Sequence, residues 1–170
     1  DLHSEKGWLP SKLRQKDITK EIWLAFSPIK SNYFNFMIQK ATELGVTRFI
    51  PIIFDRTIVR KINKERLEKI IIEATEQSNR INIPILEKPQ NLKKFLSNNL
   101  KKIDLVFNDL NTKKKKLEIN KEANKPLCVI VGPEGDFTEK ERELILNFKS
   151  VKSININQNN QLSYSQFAGT

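Results

Sequence analysis

Short apolar runs alternate with segments of helical period along most of this chain, and that alternation limits what it can fold into. "EIWLAFSP" (Glu21 to Pro28) reads as a short buried strand stopped by proline. Ser31 stands where it can cap a helix with Phe34, Met37, Ile38, Ala41 and Leu44 on one face, and Gly45 sits at the place of a left-handed C-terminal cap. "RFIPIIF" is the next strand, with Pro51 arguing for an edge position or a bulge. Asn63 can cap a second helix whose apolar face carries Leu67, Ile70, Ile71 and Ala74, and the polar end "EQSNRINIP" is closed by Pro84. "NLKKFLSNNL" suits a third helix; "KIDLVFND" (Lys102 to Asp109), "LCVIVG" and "VKSINI" read as strands. Thr138 and Glu141 form a capping-box pattern ahead of a helix bearing Leu144, Ile145 and Phe148. This order predicts an α/β fold, a largely parallel sheet with helices on both faces.

A chain of 170 residues favours one domain with a sizeable core. No run approaches the roughly 18 apolar residues needed to cross a bilayer, and "DLHSEKGWLP" has no signal-peptide pattern. Cys128 is the single cysteine and His3 the single histidine, which speaks against a disulfide framework, a metal site or a Cys-His catalytic pair. A reducing cytoplasm is the plain expectation. Thirty Lys and Arg against twenty Asp and Glu leave a charge of +10, a surface that attracts polyanions, of which nucleic acid is the commonest. The abundance of Lys, Asn and Ile is also what AT-rich codon usage produces, so charge alone names no reaction. "NTKKKKLEINKEANKP" (Asn111 to Pro126) reads first as a solvated loop and second as a phosphate-contacting one.

The most informative stretch is "VIVGPEGDFTEKERE" (Val129 to Glu143), where an apolar strand runs into Gly-Pro-Glu-Gly and then a charged helix. In open parallel sheets, ligands settle beyond the carboxyl ends of the strands. Phosphate is a poor fit here. A P-loop needs Lys followed by Ser or Thr after its second glycine, where this chain has Asp136 and Phe137. A dinucleotide fingerprint needs a third glycine, and Glu134 and Asp136 would repel phosphates at the helix N-terminus. Gly132 and Gly135 permit close backbone approach and unusual dihedrals, and Pro133 stiffens the turn. A loop for a neutral or cationic ligand and a tight strand-to-helix turn both remain open at this point.

"QKATELGVTRFIPI", "ERLEKIIIEATEQSNR" and "VGPEGDFTEKE", in this order and at these spacings, resemble the RsmE family of bacterial 16S rRNA (uracil-N3)-methyltransferases, members of the knotted SPOUT class. The likeness runs from about Glu21 to about Ile156. It implies S-adenosylmethionine as methyl donor, 16S rRNA in the 30S subunit as substrate, a homodimer, and a C-terminal trefoil knot whose loops bind the donor. By position, the donor loops would hold Phe107, Asn108 and Asp109, then Gly132, Pro133, Glu134 and Gly135, and a last loop beginning after Ile154 and Ile156. Arg80, closing the Glu-Gln-Ser-x-Arg run, would stand near the reacting base, while Lys40 and Arg56 would meet rRNA phosphate. Uracil N3 carries a proton that must leave: Arg80 would stabilise the developing anion and Glu134 would accept the proton, directly or through water. The plainer roles are a phosphate clamp or ion-pair partner for Arg80 and a capping acid for Glu134.

The resemblance also divides the chain. Residues 1–20 are expected to be a remnant of, or linker from, an N-terminal PUA-like barrel, and residues 21–156 the SPOUT methyltransferase domain. Residues 157–170 stand as an aberrant tail where the family has its last knot loop and helix, because "INQNNQLSYSQFAGT" lacks the family's Leu-Arg and Glu-Thr-Ala. A non-catalytic remnant or RNA-binding module is therefore the alternative reading, and a Rossmann-like nucleotide enzyme a more distant one.

Overall fold

A computed structural model describes residues 20–108, 124–148 and 150–154. The elements run β1 (Ile22–Phe26), α1 (Ser31–Leu44), β2 (Arg48–Ile53), α2 (Lys64–Gln77), β3 (Ile85–Leu86), β4 (Gln90–Asn91), α3 (Leu92–Asn98), β5 (Asp104–Asn108), β6 (Leu127–Val131), α4 (Glu139–Leu146) and β7 (Val151–Ile154). The strands form one seven-stranded sheet in the order β3-β2-β1-β6-β5-β7, with β4 also on β2. Every pairing is parallel, so all the strands end along the same side of the sheet.

Strict alternation along β1 divides the core. Leu24 and Phe26 face Phe34, Ile38, Leu67 and Ile71 of α1 and α2, whereas Ala25 faces the opposite layer with Phe95 of α3 and Ile145 of α4. Helices thus cover both faces, as the alternating pattern predicts. Asn63 caps α2, its Oδ1 accepting from the Arg66 amide at 3.0 Å.

Three local expectations are corrected. Lys30, not Ser31, is the N-cap of α1, and it makes no side-chain capping bond. Leu44 is 82% exposed: the buried face of α1 ends with Ala41 and Thr42, and Gly45 (φ 107°) then reverses the chain. Pro51 lies in an internal strand, not at an edge. The carbonyls of Thr47 and Phe49 accept from Ile85 and Glu87, so odd-numbered residues of β2 face β3 and β4. Pairing then resumes at Ile52 with Gln90, which leaves Pro51, lacking an N–H, opposite the break between those two short strands.

No described helix is long and apolar enough to cross a membrane. Most of the lysine-rich stretch, both chain ends, Asp109 and Ile156 lie outside the described residues.

Candidate functional site

At the carboxyl ends of the strands, β6 leads into Gly132. The Ser27 amide donates to the Val131 carbonyl at 3.1 Å, closing the β1–β6 ladder just before the loop. The Pro133 carbonyl accepts from the Asp136 amide at 2.9 Å, making a tight turn over Glu134 and Gly135. Unusual dihedrals were expected at the two glycines, but the left-handed residue is Asp136 (φ 64°), whose Oδ1 accepts from the next amide, Phe137, at 2.8 Å. Short polar side chains tolerate this region by such local bonding.

Gly132 is needed for space. A Cβ there would lie 2.9 Å from the ring of Phe137, which packs edge-on against Phe54 and Phe107 at centroid distances of 5.3 and 6.4 Å. Gly135 is under no such pressure, with Arg56 Cδ at an ordinary 3.5 Å. Gly132→Ala is therefore expected to displace Phe137 and destabilise the fold by about 1–2 kcal/mol, whereas Gly135→Ala leaves the melting temperature nearly unchanged; thermal denaturation of the two variants checks this.

The segment after β2 holds the turn from the side. Glu141, 5% exposed, accepts from the Asp55 amide (Oε1, 2.7 Å) and from the Thr138 amide (Oε2, 2.9 Å), while Thr138 Oγ1 accepts from the Glu141 amide in return. The capping box is thus present as read, and its acid also ties down a loop 86 residues away. Arg56 Nη1 donates to the Gly135 carbonyl at 2.7 Å. The buried hydroxyls of Ser27 and Thr57 meet at 2.9 Å, and Thr57 Oγ1 also accepts from the Phe54 amide at 2.8 Å.

Between the ends of β5 and β6 lies a cleft of about 260 Å³, lined by Phe107, Asn108, Pro133 and Glu134 and closed by Phe137 and Arg142. Phe107 is buried and offers its backbone, while Asn108 is exposed. Asn108 pairs in register with Ile154, so the ends of β6, β5 and β7 are neighbours, and the structure brings together three of the predicted loop origins. A smaller depression beside Arg56 shares Pro133 and Glu134 with this cleft, so Glu134 lines both. Among the described residues no group of His, Cys, Asp and Glu is placed to hold a metal ion. Cys128 is buried, and burial pushes its thiol far up, away from the reactive thiolate.

Two predicted residues lie elsewhere. Arg80 Nη1 donates to the carbonyls of Thr42 (2.9 Å) and Val46 (2.7 Å), and burial lowers its pKa from the ordinary arginine value. It pins the turn between α1 and β2, at the amino ends of the strands, where the Thr47 amide bonds to the Ile22 carbonyl at 2.8 Å. A strand of this length, roughly 16 Å, separates it from the glycine turn, so one chain does not bring Arg80 beside Glu134. Lys40 is on α1, paired with Glu43 at 2.9 Å and 5.7 Å from the centre of the Phe36 ring. Sequence reasoning missed Phe137, Asp55 and the second bond of Glu141; only the capping-box spacing hinted at the last.

Comparison with known proteins supplies the rest. The profile of the RNA methyltransferase domain family matches residues 16–159. Ribosomal RNA small subunit methyltransferase E of Rickettsia conorii is 37% identical over 89% of this chain and 62% of its own length. The protein of that name from Aquifex aeolicus is 34% identical over 86% of this chain and 62% of its own length. The crystal structure of ribosomal RNA small subunit methyltransferase E from Neisseria gonorrhoeae, bound to S-adenosyl methionine, superposes with a TM-score of 0.72 at 28% identity, covering 81% of this chain and 57% of that one. This chain therefore spans about three fifths of the length of these relatives. The profile match, on a parallel sheet whose glycine turn borders a cleft, places this chain in the RNA methyltransferase domain family.

Proposed function

We propose that this chain forms the S-adenosylmethionine-binding, methyl-transferring part of a small-subunit rRNA methyltransferase acting at N3 of a uridine in 16S rRNA. The observation that carries the reading is the cleft at the ends of β5 and β6, next to the end of β7, in a fold shared with a relative crystallised with that cofactor. Its chemistry fits. Glu134 and Asp136 stand where a phosphate-binding loop would present only N–H groups, and against Arg142 they leave the lining net negative, which favours a cationic ligand over a nucleotide phosphate. Phe107, Asn108, the backbone from Gly132 to Gly135 and the end of β7 at Ile154 would hold the cofactor, with Asp109 and Ile156 continuing the same loops. When bound, it supplies an electrophilic methyl group on a sulfonium.

What the chain itself must do is orient the base and manage one proton. Alignment of the uracil nitrogen with the methyl carbon supplies much of the acceleration. Glu134, which lines both cleft and depression, would take the N3 proton directly or through water. Arg142, in the lining of the cleft, and Arg56, bonded to the Gly135 carbonyl beside it, are the guanidiniums at hand for the negative charge that develops on the base. Within one chain Arg80 enters as the clamp between α1 and α2, and Lys40 as a phosphate contact released from a surface ion pair. The knot, the homodimer, the 30S subunit as substrate particle and a cytoplasmic setting belong to the same proposal.

Titration with S-adenosylmethionine is expected to give saturable heat, and labelled methyl should reach 16S rRNA as N3-methyluridine, identified by mass spectrometry of the nucleosides. Absence of heat at millimolar cofactor would favour the RNA-binding remnant. Label on another atom of the base would move the chemistry away from N3.

A further inference from the structure

The depression beside Arg56 is not isolated. It shares Pro133 and Glu134 with the cleft on one side, and Ile29 and Val59 with a further depression of about 210 Å³ on the other. Through these shared residues the three depressions adjoin in series from the cleft, past the start of α1, to the first turn of α2, and are taken together as one groove. Its character changes along the way. Glu134, Asp136 and Arg142 border it at the cleft, Lys30 and Arg56 line the middle part beside Glu134, and Lys61 and Arg66 line the far part, which holds no acid. Lys30, Lys61 and Arg66 form no ion pair with a described residue, unlike Lys64, which meets Glu68 at 3.5 Å, and Lys40, which meets Glu43. Ile29 and Val59 line the groove, and Ile58 beside them is 76% exposed.

Unpaired cations along an apolar-lined groove match a polyanion that also offers flat apolar faces. A base-paired duplex keeps those faces stacked inside, whereas a single strand exposes them. We infer that this groove takes single-stranded RNA adjoining the target nucleotide, with its phosphates on Lys30, Lys61 and Arg66 and its bases or riboses against Ile29, Ile58 and Val59. The inference rests on the proposed function, because it places the target nucleotide at the cleft end, beside Glu134.

The test replaces Lys30, Lys61 and Arg66 together by glutamine in the full chain, alongside a control that replaces Lys93, Lys94 and Lys101, exposed lysines on and after α3 on the other face. Binding of a single-stranded RNA oligonucleotide, of its duplex and of 16S rRNA is measured against salt, and S-adenosylmethionine binding by calorimetry. For the groove variant, the slope of log affinity against log salt for the single strand should fall by roughly two, with affinity at least about tenfold weaker near 0.15 M salt. The control should keep the wild-type slope, and both variants should keep wild-type cofactor affinity. An unchanged slope, an equal loss in the control, or preference for the duplex would overturn the groove assignment, as would displacement of RNA by polyglutamate at equal charge. Failure of the wild-type chain to bind cofactor would instead strike the methyltransferase reading, and the salt slopes would still report on the groove.

Discussion

Replacing Arg80 by alanine is expected to lower stability by roughly 2–3 kcal/mol while leaving cofactor binding intact below the melting transition. The guanidinium donates to two carbonyls, Thr42 and Val46, at 2.9 and 2.7 Å, and joins the end of α2 to the turn that starts β2. Bonds from a charged donor are individually stronger than neutral ones, and truncation leaves both carbonyls in a part-buried site without that partner. Nothing on the cleft side touches this arrangement, because the two lie at opposite ends of a parallel sheet. In a chain of this size such a loss corresponds to about 5–10 °C in melting temperature. Arg80→Lys should recover part of it: both bonds come from the single nitrogen Nη1, so an ammonium has donors enough for the two carbonyls, but its stem is shorter and its charge more strongly hydrated. Thermal denaturation and calorimetric titration of the same samples decide the matter. If Arg80→Ala melts like the parent but loses methyl transfer, the clamp reading fails and the arginine belongs with the reacting base.

The contrast between Arg80 and Phe137 shows what was legible in the amino-acid string and what was not. Periodicity is local, so β1, α1, α2, the capping box and the parallel α/β layout could be read from windows of a few turns. Pro51 was read as a sign of an edge or a bulge; what no window contains is the break between β3 and β4 that accommodates it in an internal strand. Gly132 was likewise read as a place of close approach, but the approaching group is a side chain five residues on, seated between rings from β5 and from the loop after β2. Arg80 stands in a motif that belongs to the resemblance, and a motif marks a position without saying whether its work is chemical or mechanical. Its partners, 34 and 38 residues earlier in the chain, come only from the folded pairing of α1 with α2.

Glu141→Ala should be the more damaging change, because it strikes stability and the cleft together. The carboxylate is 5% exposed and spends its two oxygens on two backbone amides, Asp55 at 2.7 Å and Thr138 at 2.9 Å. Alanine removes both charge-assisted bonds, leaves two amides short of an acceptor and opens a small void, a combined loss on the order of 3–4 kcal/mol. Glutamine tests the electrostatic part: its oxygen can serve one amide, but its nitrogen then faces the other as donor against donor. The two bonds also set geometry. One starts α4 and therefore fixes where the glycine turn ends; the other holds the loop whose Arg56 grips Gly135 from outside. Releasing both frees the turn that borders the cleft, so cofactor affinity should drop about tenfold even at temperatures where the variant is folded. Calorimetry on Glu141→Ala at low temperature reads that drop, with circular dichroism confirming the fold. A variant that melts early yet binds cofactor like the parent would show that the turn keeps its shape unaided, and that the loop after β2 contributes to stability alone.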